Sequence, residues 1–394
     1  MRSLAAALVA AVVGLALCLA PTASASSSLQ VGIFDDGMVL YGEPNAVFAQ
    51  LAKTETQLVR VNLWWAGPSL KVATARPRHP ADPNDPAYNW DTYDRTVRFA
   101  VVNGMQPIFS IIGTPPWANA AKGWNVAPTN ARDLRSFAAA AQKRYSGTFV
   151  NADGVTLPRV SLWMAWNEPN NPVFLKPQYR RVRSGWAIQS GRDYARICNA
   201  IVQGVKSVQR SSKVACGATG PRGNNNPNSS RPSVSPLPFL RAMKAGGAKG
   251  FDAYAHHPYY GSPAETPTTK PPPGKRGQPP TAVTLGNFDV LVKELDRLYG
   301  KRMRLWITEY GYQTNPPDRI FGVTYRKQAT YLTQAAAWAR KNPRVDMFLW
   351  FLLRDERRAD GPRRRGQGRV PPLLSRPVGR AHGGDATRGA SGTP

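Results

Sequence analysis

The sequence is short of metal ligands. Among 394 residues there are three cysteines and four histidines, and no two histidines stand at His-x-x-His spacing, so a transition-metal centre has no ligand set to draw on. Neither a metal nor a cofactor is expected. Acidic residues are scarce as well: 24 Asp and Glu face 52 Lys and Arg, for a formal net charge of +28. Such a balance invites a nucleic-acid reading, which requires basic and aromatic residues interleaved on one recognition element. No such element is found, and no nucleic-acid partner is expected. A glycine-rich phosphate loop is missing too, because Val31-Gly32-Ile33-Phe34 runs directly into Asp35-Asp36. There is no repeat at solenoid or propeller period, and beyond the N-terminus no apolar run is long enough to span a bilayer. Hydrophobic residues nonetheless make up 42% and aromatics 10%, enough for a sizeable core.

The two ends differ from the body. Arg2, the apolar run over 4–20 and Ala23-Ser24-Ala25 read as a secretory signal peptide over 1–25. The mature chain is therefore expected to be secreted and extracellular, with membrane attachment only if the signal stays uncleaved. Removing it takes Cys18 away and leaves Cys198 and Cys216. Two readings of that pair stay open: a disulfide, as export permits, or two buried thiols kept apart by the helix and strand layers. At the other end, residues 357–394 are rich in Arg, Gly and Pro and lack aromatics. They are expected to be a disordered basic tail, plausible as an out-of-frame or truncated end.

Between the ends, short apolar strands alternate with amphipathic helices. Strands are expected near 31–34, 58–63, 107–111, 160–166, 214–218, 251–256, 304–307 and 347–351. Helices are expected near 45–54, 92–103, 131–145, 193–208, 239–245, 287–298 and 326–341, with starts near Asp85-Pro86 and Asn130. Eight strands alternating with seven helices predict one α/β domain over 26–356, a (β/α)₈ TIM barrel. Its last helix is missing, because no amphipathic pattern follows the eighth strand.

Two motifs sit at strand ends. Trp166-Asn167-Glu168-Pro169-Asn170 closes the fourth strand, and Thr308-Glu309-Tyr310-Gly311 closes the seventh. In a barrel both ends face one mouth, and two opposed carboxyl groups there suit glycoside hydrolysis, one ionised to attack and one protonated to release the leaving oxygen. Arg60, inside the apolar run Leu58-Val59-Arg60-Val61, needs a carboxylate partner if it faces the interior.

With these motifs the chain resembles the clan of retaining (β/α)₈ glycoside hydrolases that includes the family 5 cellulases and the family 39 xylosidases and iduronidases. Thr114-Pro115-Pro116-Trp117-Ala118 after the third strand is most similar to the family 39 branch. The resemblance implies that Glu168 is the acid/base, Glu309 the nucleophile and Asn167 the partner of the sugar 2-hydroxyl. It also implies that Arg60 orients the nucleophile, that His257 and Tyr259 flank it, and that Trp350 lies under the reacting sugar. Trp117 is a further expected substrate-binding residue. His256 is expected to be packed behind His257, and Asp35 and Asp36 to brace loops as readily as to touch substrate.

The expected partner is a poly- or oligosaccharide met by a monomer. Lys176, Arg180, Arg181 and Arg183 follow the acid/base closely, and Lys270, Lys275 and Arg276 follow the sixth strand. Both clusters would draw an anionic glycan. The competing reading is a non-catalytic barrel that binds glycan or cell wall, against which stand the two glutamates that binding alone does not need.

Overall fold

The computed structural model describes residues 29–274 and 280–354. The expected signal peptide, Lys275, Arg276 and the expected tail over 357–394 lie outside the described residues. In chain order the elements are β1 (Gln30–Phe34), a short α1 (Asp36–Tyr41), α2 (Pro44–Lys53), β2 (Leu58–Trp64), α3 (Asp91–Val102), β3 (Gln106–Ile112), α4 (Ala131–Arg144) and β4 (Leu162–Ala165). There follow a hairpin of β5 (Tyr179–Val182) and β6 (Gly185–Ile188), then α5 (Ser190–Val208), β7 (Lys213–Thr219), α6 (Pro236–Ala245), β8 (Ala253–His256), α7 (Asp289–Tyr299), β9 (Arg304–Tyr310), α8 (Tyr325–Lys341) and β10 (Val345–Trp350).

Eight of these strands close a parallel barrel, in which β1, β2, β3, β4, β7, β8, β9 and β10 are successive neighbours and β10 pairs back to β1. The fold is a TIM barrel, and every expected strand and helix has its counterpart. Strands buried on both faces read as continuous apolar runs, which is why every residue of β2 is buried. Alternate residues point inward. Leu58, Ile108, Leu162, Trp306, Met347 and Leu349 belong to one apolar cluster. Two residues further along three of these strands, one layer nearer the C-terminal mouth, stand Arg60, Ser110 and Thr308, all buried and polar. The apolar plug is thus a floor, and the chemistry is built on it.

Outside the barrel, the antiparallel return of α5 onto β7 brings Cys198 against Cys216, with Cα atoms 5.9 Å apart, and they form a disulfide. The layers do not keep them apart because Cys216 lies on the outer face of its strand, where the helix rests. The start expected near Asp85-Pro86 is displaced: α3 begins at Asp91, and Asp85 instead ties a turn by accepting from the backbone of His79 and Ala87. Described residues end at Arg354, four residues after β10.

Candidate active site

Arg60 is the centre from which the site grows. Its guanidinium is fully buried, and four groups accept its protons. Nε donates to Ser110 Oγ at 2.9 Å, and Nη1 donates to the Thr308 carbonyl at 3.0 Å and to Glu309 Oε1 at 2.7 Å. Nη2 donates to Asn167 Oδ1 at 2.7 Å. The Phe34 ring lies 4.1 Å from the charge, close enough for a cation–π contact. A cation taken wholly out of water persists only with such a set of partners.

Glu309 sits near the end of β9 with its side chain 8% exposed. Besides Arg60 it accepts a hydrogen bond from the Tyr259 hydroxyl, to Oε2, at 3.1 Å. Two donors on two oxygens hold the carboxylate in one orientation.

Glu168 is placed by an unusual stretch of backbone. Trp166 and Glu168 have φ of 65° and 36°, and Ala218 across from them has φ of 45°. Residues with side chains rarely enter this left-handed region, at a cost of about 1–3 kcal/mol each. At Ala218 the register of β7 against β8 shifts by a bulge, and its carbonyl accepts from the Glu168 N–H at 2.8 Å. The carboxyl group is then met by Asn171 Nδ2 at 3.2 Å and by His257 Nδ1 at 3.2 Å. Gly220 leaves room for it: a Cβ at that position would stand 2.9 Å from Oε1.

The two glutamates differ in surroundings. Burial pushes the Glu168 carboxyl up to about 7, opposed by the Asn171 hydrogen bond and the more distant Arg60. His257 is pushed down to about 3 by burial and by Arg60, against the pull of Glu309, and so stays neutral. Its Nε2 faces Thr308 Oγ1 at 3.1 Å. A neutral ring with one N–H donates to an ionised Glu168 and accepts from a protonated one by exchanging tautomers.

One carboxylate oxygen of each glutamate and a ring nitrogen of His257 lie within 4.8 Å of one another. Three such ligand atoms are the number a catalytic zinc uses. Here, however, Glu309 Oε1 already carries the Arg60 guanidinium, and a second cation on that atom is opposed by the first.

Glu168, Glu309, Asn167, Arg60, His257 and Tyr259 are therefore brought together as expected. Two other residues are not. Trp350 follows inward-facing Leu349 and turns to the outer side of β10, where its ring lies 6.3 Å from Tyr310. The inward aromatic side chain is Phe351, against Phe34 and Tyr259. Trp117 packs edge-on against Trp65 at 5.5 Å with Arg76 near its ring, and among the described residues no contact of it with either glutamate is found.

His256 is bonded behind the site to Thr219 Oγ1 and the Val283 carbonyl, as expected of a packed histidine. Asp35 caps α1 through Met38 N and accepts from Leu353 N. Asp36 braces Asn62 through both oxygens. Asn170, the last residue of the motif, carries more than its sequence position suggests. Fully buried, it donates to the carbonyls of Gly220, Arg222 and Val234 and accepts from Gly220 N. It thereby seats the loop after β7 beside Glu168.

The family model described as the glycosyl hydrolase catalytic core matches residues 282–365. A search of curated proteins finds no match. Among solved structures, a glucosidase from Croceicoccus marinus superposes with a TM-score of 0.56 at 15% identity, over 84% of this chain and 60% of that one. A family 39 glycoside hydrolase from the gut symbiont Bacteroides cellulosilyticus WH2 gives 0.54 at 18% identity, over 82% and 56%. The chain thus spans under two thirds of the length of either. In fold over four fifths of its length, and in sequence over residues 282–365, it is similar to the (β/α)₈-barrel glycoside hydrolases.

Proposed function

We propose that the protein is an exported retaining glycoside hydrolase that cleaves a saccharide by double displacement, and that it acts as a monomer. The observation that supports this reading is the closeness of the two carboxyl groups, one oxygen of each lying within 4.8 Å of the other. Retention uses carboxyl groups about 5–5.5 Å apart, whereas inversion needs about 6.5–9.5 Å to seat a water between them. Glu309, ionised and held by Arg60 and Tyr259, attacks the anomeric carbon. Glu168, still protonated near neutral pH, gives its proton to the departing oxygen. In the second half Glu168 takes a proton from water, whose oxygen displaces Glu309 and frees the sugar. Asn167 has its amide oxygen engaged by Arg60, so its N–H groups are what it offers a sugar hydroxyl. A barrel that only bound glycans would have no use for a carboxyl group raised to about 7 beside an ion-paired one.

The test is hydrolysis of a panel of aryl glycosides and polysaccharides, with the anomeric configuration of the first product followed by NMR. Retention is expected, together with a loss of about 10²–10⁴-fold in Glu168→Ala and a larger one in Glu309→Ala. An inverted product, or equal activity in both variants, overturns the mechanism. For export, a reporter fused behind residues 1–25 is expected in the medium.

A further inference from the structure

Between Glu168 and Asp193 the chain carries five basic residues and no acidic one. Three of them, Arg180, Arg181 and Arg183, stand exposed on the β5–β6 hairpin. No ion pair of these three is found among the described residues. Like charges so close repel one another, and a bound polyanion would relieve that repulsion.

The hairpin is rooted beside the acid. Buried Gln178 donates from Nε2 to the carbonyl of Pro169, the residue after Glu168, at 2.9 Å. Lys176 N donates to the Asn125 carbonyl in the loop after β3 at 2.7 Å, and the Tyr179 hydroxyl donates to the Ser233 carbonyl in the loop after β7 at 3.3 Å. These bonds stand the hairpin on the rim of the barrel, on the side from which Glu168 protonates a leaving group. Cross-strand pairing sets Arg181 opposite Trp186, so both share one face, with the guanidinium 5.4 Å from the indole ring. Trp186 remains 42% exposed. An indole left in water beside a planar cation presents a stacking surface and a carboxylate fork side by side.

We propose that this hairpin binds the acidic groups of an anionic polysaccharide on the leaving-group side of the scissile bond. Arg181 takes a carboxylate or sulfate and Trp186 beside it takes a sugar face, while Arg180 on the opposite face and Arg183 at the turn add to the field that draws the polymer. The assignment of a side rests on the glycosidase reading above, whereas the binding itself is measured without hydrolysis.

The experiment compares the full chain with Arg180→Gln/Arg181→Gln/Arg183→Gln and with Trp186→Ala by affinity electrophoresis. The gels contain polygalacturonate, dextran sulfate, neutral dextran or duplex DNA, at low and high salt. Native protein is expected to be retarded by the first two polymers but not by dextran. The triple variant should lose about tenfold or more in affinity, with circular dichroism and melting unchanged. Trp186→Ala should weaken the polygalacturonate interaction that survives high salt. Preference for polygalacturonate over dextran sulfate assigns carboxylates, and the reverse assigns sulfates. Equal retardation of native and triple-variant protein, or DNA binding as tight as that of either polysaccharide, overturns the proposal. Hydrolysis that depends on Glu168 and Glu309 but ignores substrate charge overturns it and leaves the glycosidase standing. Hairpin-dependent polyanion binding without any hydrolysis does the opposite.

Discussion

Arg60 carries a full charge with no exposure, and its neighbours have been arranged around that fact. Replacing it by Met leaves Glu309 buried without its cation, which is expected to cost about 3–5 kcal/mol, read from urea unfolding. Glu168 sets a second expectation. The proposed mechanism uses its acid form in the first step, and burial raises the carboxyl to about 7, so kcat/KM should fall about tenfold per pH unit above that value. Glu168→Gln should lack this limb on an activated aryl glycoside, and the pH–rate profiles of the two proteins check it.

Asp36 shows the same shift for a structural reason: burial lifts it to about 7 against the hydrogen bonds from Asn62. Its unfolded value is about 3.9, so the folded state holds the proton more tightly. The stabilisation from that proton is complete below pH 4 and is lost as pH rises through 7. Asp36→Asn should flatten this decline in thermal melts between pH 5 and 8. The orphaned Asn62 Oδ1 can turn to meet the new amide.

At the scale of elements, the acid is held by a bulge, a bare glycine and one asparagine. Gly220→Ala places a methyl 2.9 Å from Glu168 Oε1, and a shift of about 1 Å in a catalytic group costs up to about 10²-fold in rate. Assays of kcat with unchanged circular dichroism should show this. None of the three devices announces itself in sequence, since a bulge and a left-handed Ala218 follow from which strand lies opposite.

The regular elements were legible, because strands sandwiched between plug and helices must be apolar and helices that cover them must be amphipathic. The hairpin was not. Tyr179–Ile188 buries neither face, so it has no alternation to read, and α1, at six residues, is too short to repeat an apolar face. Trp350 shows a different failure. The pleat running through Met347 and Leu349 points to Phe351, not Trp350, as the next inward residue. Five of the six residues that do converge are polar and lie at or within three residues of the C-terminal end of an apolar strand, and the sixth, Arg60, is the one cation inside such a strand.

For the whole molecule, the Cys198–Cys216 bridge joins the helical layer to the barrel wall across a separation of 18 residues. Loop closure of this length is worth about 3 kcal/mol, so reduced protein should melt several degrees lower in a scan with and without dithiothreitol. The charge of +28 divides by place as well. Pairs such as Arg144–Asp94 and Lys206–Asp252 neutralise part of it on the helical shell, while the rim of the mouth keeps unpaired arginines.

The reach of Arg60 also dictates an order of assembly. It lies on the second strand of the barrel, yet two of its four acceptors belong to residues 248 and 249 positions later. Contacts this distant form late, because the loop they close is long. Until β9 docks, a half-built barrel must either keep this cation wet or bury it half-satisfied, so a chain ending before Arg304 should remain expanded and prone to aggregate. The group that holds Glu309 in place is thus also the latch that rejects an incomplete barrel.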